Sequence, residues 1–215
     1  MDKFTRRAEA SGWLSVRLSR TDQLASLCEY TRVKIVRETG GRTYFIIMGG
    51  FVAVGEEASL SIENAAKYLS ETGPDGAATL TVTYAGAPAY EVSQFKGRLK
   101  QQWANLNFDG QTAIATLNSV WDISFEPIPP GIHAILAPDY SHKKISTAGY
   151  ASATSGMVGN DVWFPIGLDG SFSNSSRYIH VGHMSEGCVT VHQLDRWTML
   201  YQYLISHRVS PSYSP

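Results

Sequence analysis

The sequence predicts a mainly β protein with some α-helix. Runs rich in β-branched and aromatic residues, such as GWLSVRLS, RVKIVRE and ATLTVTYAG, end at glycine or proline turns, which is typical of strands. Two segments favour helices instead. SIENAAKYLS begins at Ser61 and is expected to stop by Gly73-Pro74, and the segment after Cys188 carries apolar residues at spacings of three and four.

The order of these patterns predicts two regions. Residues 1–92 are expected to form a small β-rich α+β region, in which we find no catalytic spacing. Residues 93–215 are expected to form the second region. A more polar stretch, YEVSQFKGRLKQQWANLNFDGQ, spans its start, and strands are predicted after it at TAIATL, VWDISFE and DVWFPIG. The prolines and glycine of PIPPGIHAI forbid a helix there. The closing helix is predicted from Val189, Val191, Leu194, Trp197, Leu200, Tyr201 and Leu204.

Charge and hydropathy exclude several partners. Lys+Arg number 18 and Asp+Glu 19, so no excess of positive charge favours nucleic acid or an anionic membrane. No stretch reaches the roughly 20 apolar residues of a membrane span, and the first residues lack the apolar run of a signal peptide. We therefore expect a chain made in the cytoplasm without a signal peptide, with no membrane span and no nucleic-acid partner.

The two cysteines require separate explanations, because one distant pair does not form a disulfide framework. Leu24, Leu27 and Cys28 recur at helical spacing, which predicts a small buried thiol without a chemical role. Cys188 instead follows Gly187 where a loop enters the next element. A thiol in that position is a candidate nucleophile at the mouth of a cleft.

A nucleophilic thiol needs a base, because the thiolate is the reactive form. His180 lies on an apolar strand eight positions before Cys188, and Gly182 permits a turn between them. The backbone N–H groups of Gly187 and Cys188 are candidate donors to a developing oxyanion. A metal site is the alternative, since His180, His183, Cys188 and His192 supply the ligand types of tetrahedral zinc.

The short stretch resembles the catalytic signature of the L,D-transpeptidases, the YkuD-type cysteine enzymes of peptidoglycan. Ile179-His180-Val181-Gly182 is followed by Ser185-Glu186-Gly187-Cys188-Val189, as in that family. Upstream, PIPPGIHAI, with Pro127, Pro130 and Gly131, is similar to the family strand that precedes the active site, and NFDGQTAIATL is similar to its first strand. The resemblance covers roughly residues 95 to 206, and its order of histidine before cysteine differs from that of papain-like enzymes.

The resemblance implies a mostly antiparallel β-sandwich or barrel with a helix after the catalytic cysteine. It also implies that Cys188 attacks a peptidoglycan tetrapeptide stem, with His180 as the base held by a backbone carbonyl near Val181 or Gly182, and that no cofactor or metal is needed. Ser185 is expected to hold the loop shape. The remaining candidates are His183 as an alternative base or substrate contact, Gly182 and Tyr178 as substrate contacts, and Trp163 as core or cleft wall.

Three departures from the family pattern affect the choice of substrate. Glu186 stands where the family has histidine, Thr190 and Val191 stand where it has arginine or asparagine, and the loop from His180 to Cys188 is short. Short loops without a signal peptide resemble the L,D-transpeptidase effectors that type VI secretion delivers into the periplasm of neighbouring cells. That resemblance implies a secretion machinery and a cognate immunity protein as further partners. A catalytically dead domain that only binds the cell wall is the other alternative.

Overall fold

A computed structural model describes residues 1–93, 97–117, 128–142, 145 and 147–209 of the protein. The prediction of a mainly β chain with some α-helix is confirmed. The described residues form a seven-stranded sheet followed along the chain by an eight-stranded sheet. No helix within these residues is long and apolar enough to cross a membrane.

The first sheet is antiparallel at every described strand pair. Its spatial order is β3-β2-β6-β5-β4-β1-β7. A short helix, α1, lies between β6 and β7 along the chain. The Ser61 side chain caps the start of that helix by accepting from the Asn64 N–H. The bounds are β1 Asp2–Thr5, β2 Trp13–Leu18, β3 Leu24–Cys28, β4 Arg32–Thr39, β5 Arg42–Ile47, β6 Glu57–Ser61, α1 Ile62–Tyr68 and β7 Leu69–Ser70.

The helical conformation that the spacing of Leu24, Leu27 and Cys28 indicated is wrong, because this segment is strand β3. Its pairing with β2 places Leu27 opposite Leu14, and both side chains are buried in the core of the first sheet. Pairing with a neighbouring strand therefore overrides a weak three-to-four spacing. The expected burial of the Cys28 thiol is confirmed, although Cys28 packs with the core of the second sheet.

The second sheet follows the order β12-β13-β14-β15-β11-β10-β8, with β9 paired to β10 beside this path. Its described pairs are antiparallel apart from the parallel pair β14 and β15. The bounds are β8 Thr81–Tyr84, β9 Ala89–Ser93, β10 Gly97–Phe108, β11 Gln111–Leu117, β12 Ala134–Ile135, α2 Ala148–Ala153, β13 Phe164–Gly167, a 3-10 turn Leu168–Gly170, β14 Tyr178–Val181, β15 Val189–Val191 and α3 Leu194–Ser206.

The two sheets divide the chain earlier than the predicted domain boundary at residue 92. Strands β8 and β9 precede residue 94, yet both pair with β10 of the second sheet. The sheets therefore separate between Ser70 and Thr81. The predicted strand VWDISFE and Pro127 lie outside the described residues.

Strand β10 lies within the stretch that the sequence indicated was polar and in which no strand was predicted before NFDGQ. Ala104, Leu106 and Phe108 are buried in the second core, while the residues between them are polar or amphipathic. Two-residue alternation therefore produces a strand whose average composition is polar.

Helix α3 begins at Leu194, so the predicted helix after Cys188 exists but starts later than expected. Val189 and Val191 belong to strand β15, and both are buried against the apolar side of α3. The apolar face of that helix, formed by Trp197, Leu200, Tyr201 and Leu204, covers one face of the second sheet. The opposite face is left for the polar residues of the candidate site.

Buried polar contacts join the two sheets. The Tyr201 hydroxyl on α3 donates to Glu29, which also accepts from Arg7 at 2.9 Å. The Trp13 indole N–H donates to the carbonyl of Asp161 at 3.0 Å. Because Asp161 lies two residues before Trp163, this contact fixes the segment that enters β13 beside the site.

Candidate active site

Four neighbouring strands each contribute one residue to a row across the face opposite α3. Register pairs Trp103 of β10 with Thr116 of β11, Thr116 with Thr190 of β15, and Thr190 with His180 of β14. Side chains alternate between the two faces of a sheet, and the adjacent positions in these strands are buried beneath α3. The row therefore belongs to the polar face.

His180 is held at both ring nitrogens. Its Nδ1 lies 2.9 Å from the carbonyl oxygen of Val181, and its Nε2 lies 3.3 Å from the Thr190 hydroxyl. A carbonyl only accepts, so Nδ1 carries the proton and Nε2 is an acceptor. The expected carbonyl contact is thus confirmed, and it leaves His180 in the tautomer that a general base requires.

The surroundings of His180 keep its imidazole neutral at physiological pH. Burial lowers the pKa of His180 to about 4, the hydrogen bond to Val181 raises it, and the nearby His142 lowers it. The Trp163 ring stacks on the His180 ring with centroids 4.0 Å apart and an interplanar angle of 11°. Trp163 is thus part of the wall of the site, as the sequence suggested.

Cys188 is partly buried beside the strand that carries His180. Burial raises the pKa of its thiol to about 11, against the lowering effects of the Tyr178 backbone hydrogen bond and the charge of Arg177; Glu186 raises it further. The hydrogen bonds of the His180 ring go to Val181 and Thr190, and none among the described residues joins it to Cys188. The pair therefore rests as a neutral thiol and a neutral imidazole.

The two pKa shifts act in the same direction on this pair. The raised pKa of Cys188 opposes the thiolate and the lowered pKa of His180 opposes the imidazolium, so both shifts disfavour proton transfer in the resting site.

The thiol should accordingly react slowly with alkylating agents at neutral pH. We expect the rate of iodoacetamide labelling at Cys188 to rise about tenfold per pH unit from pH 7 to about pH 10, because the thiolate fraction sets the rate. Labelling is read by peptide mass mapping, which separates Cys188 from the buried Cys28. A rate that is already constant by pH 8 would show a stabilised thiolate instead.

The loop before Cys188 is held by Ser185. The Ser185 hydroxyl donates to the carbonyl of Cys188 at 2.6 Å and accepts from the N–H of Gly187 at 3.1 Å. Gly187 has φ +109°, a conformation that favours glycine. The expected loop role of Ser185 is confirmed, while the expectation that the Gly187 N–H faces an oxyanion is wrong here, because Ser185 already accepts it.

Gln101 is a site residue that the sequence did not reveal. Its amide oxygen accepts from the Ser185 N–H at 2.8 Å, and its amide nitrogen donates to the Ser185 carbonyl at 3.3 Å. Both residues are fully buried. This two-point contact ties strand β10 to the cysteine loop, and the run KQQW offered no signal for it because the partner lies 84 positions away.

Replacement of Gln101 by alanine should destabilise the fold by about 1–3 kcal/mol, because it leaves the buried N–H and carbonyl of Ser185 unpaired. Urea unfolding followed by tryptophan fluorescence measures this change. Gln102→Ala is the matched control, since among the described residues the Gln102 amide bonds only the adjacent carbonyl of Trp103, and its loss should cost far less. Equal losses from both variants would contradict the role of Gln101.

The remaining sequence candidates lie around this centre. A Cβ on Gly182 would lie 2.9 Å from the Thr190 methyl group, so glycine lets the chain pass close to the row. His183 is exposed, its N–H faces the Tyr150 hydroxyl at 3.4 Å, and its ring lies 5.2 Å from that of His192. His183 is therefore placed at the rim rather than against His180 Nε2.

The geometry gives no support to the zinc alternative. Within the described residues, no group of three or more His, Cys, Asp or Glu side chains is arranged to hold a metal ion. His180, His183, Cys188 and His192 all belong to that part of the chain.

Comparison of the chain with protein-family models, with curated proteins and with solved structures gave no match.

Proposed function

We propose that the protein is a cysteine acyl-transferase of the L,D-transpeptidase type that acts on peptidoglycan stem peptides. The observation that carries this proposal is the His180 ring, whose proton is fixed on Nδ1 by the Val181 carbonyl so that Nε2 is left as an acceptor, on a strand that pairs with β15, the strand directly after Cys188. The motif around these residues, with its resemblance to that family, supplies the substrate class. The buried and anchored cysteine loop is the second support.

The proposed reaction has two halves, acylation of Cys188 and cleavage of the thioester, and in each half one bond to the acyl carbon forms and one breaks. The sulfur of Cys188 attacks the carbonyl carbon of the third, L-configured stem residue while its proton passes to Nε2 of His180. The C–N bond to the terminal D-alanine then breaks, and His180 returns the proton to the departing amine. The resulting thioester is cleaved by water, by a free D-amino acid or by the amine of another stem, which regenerates the thiol.

The Thr190 hydroxyl has a defined part in this scheme. It donates to His180 Nε2 in the resting site, so it occupies the acceptor that the thiol proton must reach. Attack therefore requires the Thr190 hydroxyl to turn away as substrate binds.

A wall-binding module without turnover is the second candidate. The raised pKa of Cys188 and the Glu186 carboxylate that contributes to it both favour this candidate, because they oppose thiolate formation. Both candidates take the same peptide stems. Because peptidoglycan lies outside the cytoplasm, each includes delivery to the periplasm of a target cell and an immunity protein in the producer.

Mass spectrometry of purified peptidoglycan fragments separates the two candidates. Wild-type protein is incubated with a disaccharide-tetrapeptide, and we expect loss of one D-alanine or its exchange for an added D-amino acid. The control is a disaccharide-pentapeptide, whose terminal bond joins two D-residues and should stay intact. An unchanged tetrapeptide that still binds the protein would favour the binding module, and an unchanged tetrapeptide without binding would contradict both.

A further inference from the structure

A column of four stacked rings leads away from His180 on the side opposite Thr190. Trp163 lies between His180 and His142, with its centroid 4.4 Å from that of His142 and an interplanar angle of 12°. Tyr140 stacks on the outer side of His142 at 4.3 Å. His142 is only 7% exposed, whereas Tyr140 is 54% exposed, so the column runs from the surface to the base.

A buried carboxylate anchors the second ring of this column. Asp139 Oδ1 lies 3.0 Å from His142 Nε2, and it also accepts from the Tyr140 N–H. Asp139 Oδ2 accepts from the Tyr178 hydroxyl at 3.2 Å and from the Asn174 amide at 3.1 Å. A carboxylate with this many donors is stable when buried, and it fixes the His142 ring in one orientation.

The two hydrogen bonds of the His180 ring leave one motion of the ring, a tilt, unrestrained. Val181 and Thr190 hold the edges of the ring, but both bonds allow it to tilt about the line that joins its two nitrogens. The flat contact with Trp163 blocks this tilt, and Trp163 is itself held in place by the flat contact with His142. The same packing keeps water from that face of His180.

We propose that His142, anchored by Asp139, is a positioning residue that fixes the orientation of His180 through Trp163. The inference rests on the proposed role of His180 as the base. It assigns to the loop at residues 139–142 an effect on the site through Trp163, although the motif that indicated the site lies entirely between residues 179 and 189. His142 touches neither His180 nor Cys188 by a hydrogen bond and acts only through the intervening ring.

Nitrogen-15 NMR of the histidine rings tests this inference on His180 itself. The titratable and charged groups around His180 come from three segments. His142 lies across Trp163, and Tyr178 and Asp139 contact His142. Cys188 lies directly before β15. In the wild-type protein His180 should remain the Nδ1–H tautomer down to about pH 5. His142→Gln, which keeps a donor for Asp139 but removes the ring, should raise the His180 titration midpoint by about one pH unit, because water reaches the loosened ring and the lowering effect of His142 on the pKa of His180 is lost.

His142→Phe separates the ring contact from the hydrogen bond. Phenylalanine keeps a flat face against Trp163. It loses the bond to Asp139 and, like glutamine, the electrostatic effect of His142 on His180, so its shift should be smaller than that of His142→Gln by the part that comes from the ring contact. His133→Gln, the same substitution at a histidine outside the column, should cause no shift. If His142→Gln does not fold, His142→Leu, which fills the space without a flat face, carries the same expectation.

The inference is overturned if removal of the ring leaves the tautomer and midpoint of His180 unchanged, or if His142→Phe shifts them as much as His142→Gln. Neither result depends on turnover. Wild-type protein that processes no stem peptide while His180 responds as expected would remove the proposed function and leave the positioning role intact.

Discussion

Replacement of Cys188 by alanine is expected to lower the release of D-alanine from disaccharide-tetrapeptide by at least about 10³-fold. In the proposed reaction the thiol supplies the atom that forms the thioester, and removal of a covalent nucleophile leaves only the effects of binding. Release is measured as free D-alanine by coupled oxidation. The substitution removes a single partly buried atom, so the fold should be retained.

Cys28→Ala is the matched control for this loss. Cys28 is buried near Arg208, Thr31 and the carbonyl of Pro138 and, within the described part of the chain, forms no hydrogen bond with His180 or Cys188, so its loss should leave the rate within about twofold. If Cys188→Ala released D-alanine at the wild-type rate, the thiol would not be the nucleophile. If both variants lost activity together, the effect would be one of stability.

Replacement of His180 by glutamine should reduce the same rate by about 10²–10⁴-fold, the range for loss of a general base. The effect should be at the upper end here, because the Cys188 thiol has its pKa raised to about 11 and forms almost no thiolate without help. Glutamine retains an amide that can bond the Val181 carbonyl, so the variant tests proton transfer more than packing.

His183→Gln distinguishes the two candidate bases. His183 is exposed at the rim beside Tyr150, and its replacement should change KM more than kcat. A large loss of kcat in His183→Gln, with His180→Gln still active, would reverse the assignment of the base.

Local patterns were enough to predict several parts of the fold. Alternating β-branched residues bounded by turns predicted β2, β4 and β11, and the Ser61 cap predicted α1. These elements could be predicted because their signals lie within ten residues. The end of α1 was placed too late, because Leu69 pairs with Thr5 of a distant strand rather than continuing toward Gly73.

The candidate site shows the same division between local and distant signals. Cys188, His180 and Ser185 were predicted from one short stretch, and the Val181 carbonyl contact is local too. Gln101 and His142 were not, because Gln101 meets Ser185 only after β10 has joined the second sheet, and His142 meets Trp163 only after the loop that follows β12 has packed against the segment before β13. Glutamine and histidine side chains in a polar segment have many roles outside a functional site. Only the folded structure shows that Gln101 contacts Ser185 in the cysteine loop and that His142 stacks on Trp163 beside His180.

The central claim is that the Cys188 sulfur carries the acyl group of the stem. Intact-mass and peptide-mass analysis of wild-type protein, quenched in acid within milliseconds to seconds of mixing with disaccharide-tetrapeptide, tests this claim most directly. We predict an added mass equal to the substrate minus D-alanine, located on the peptide that contains Cys188 and released by hydroxylamine. Release of D-alanine with no adduct at any time, or with the adduct on another residue, would contradict the account.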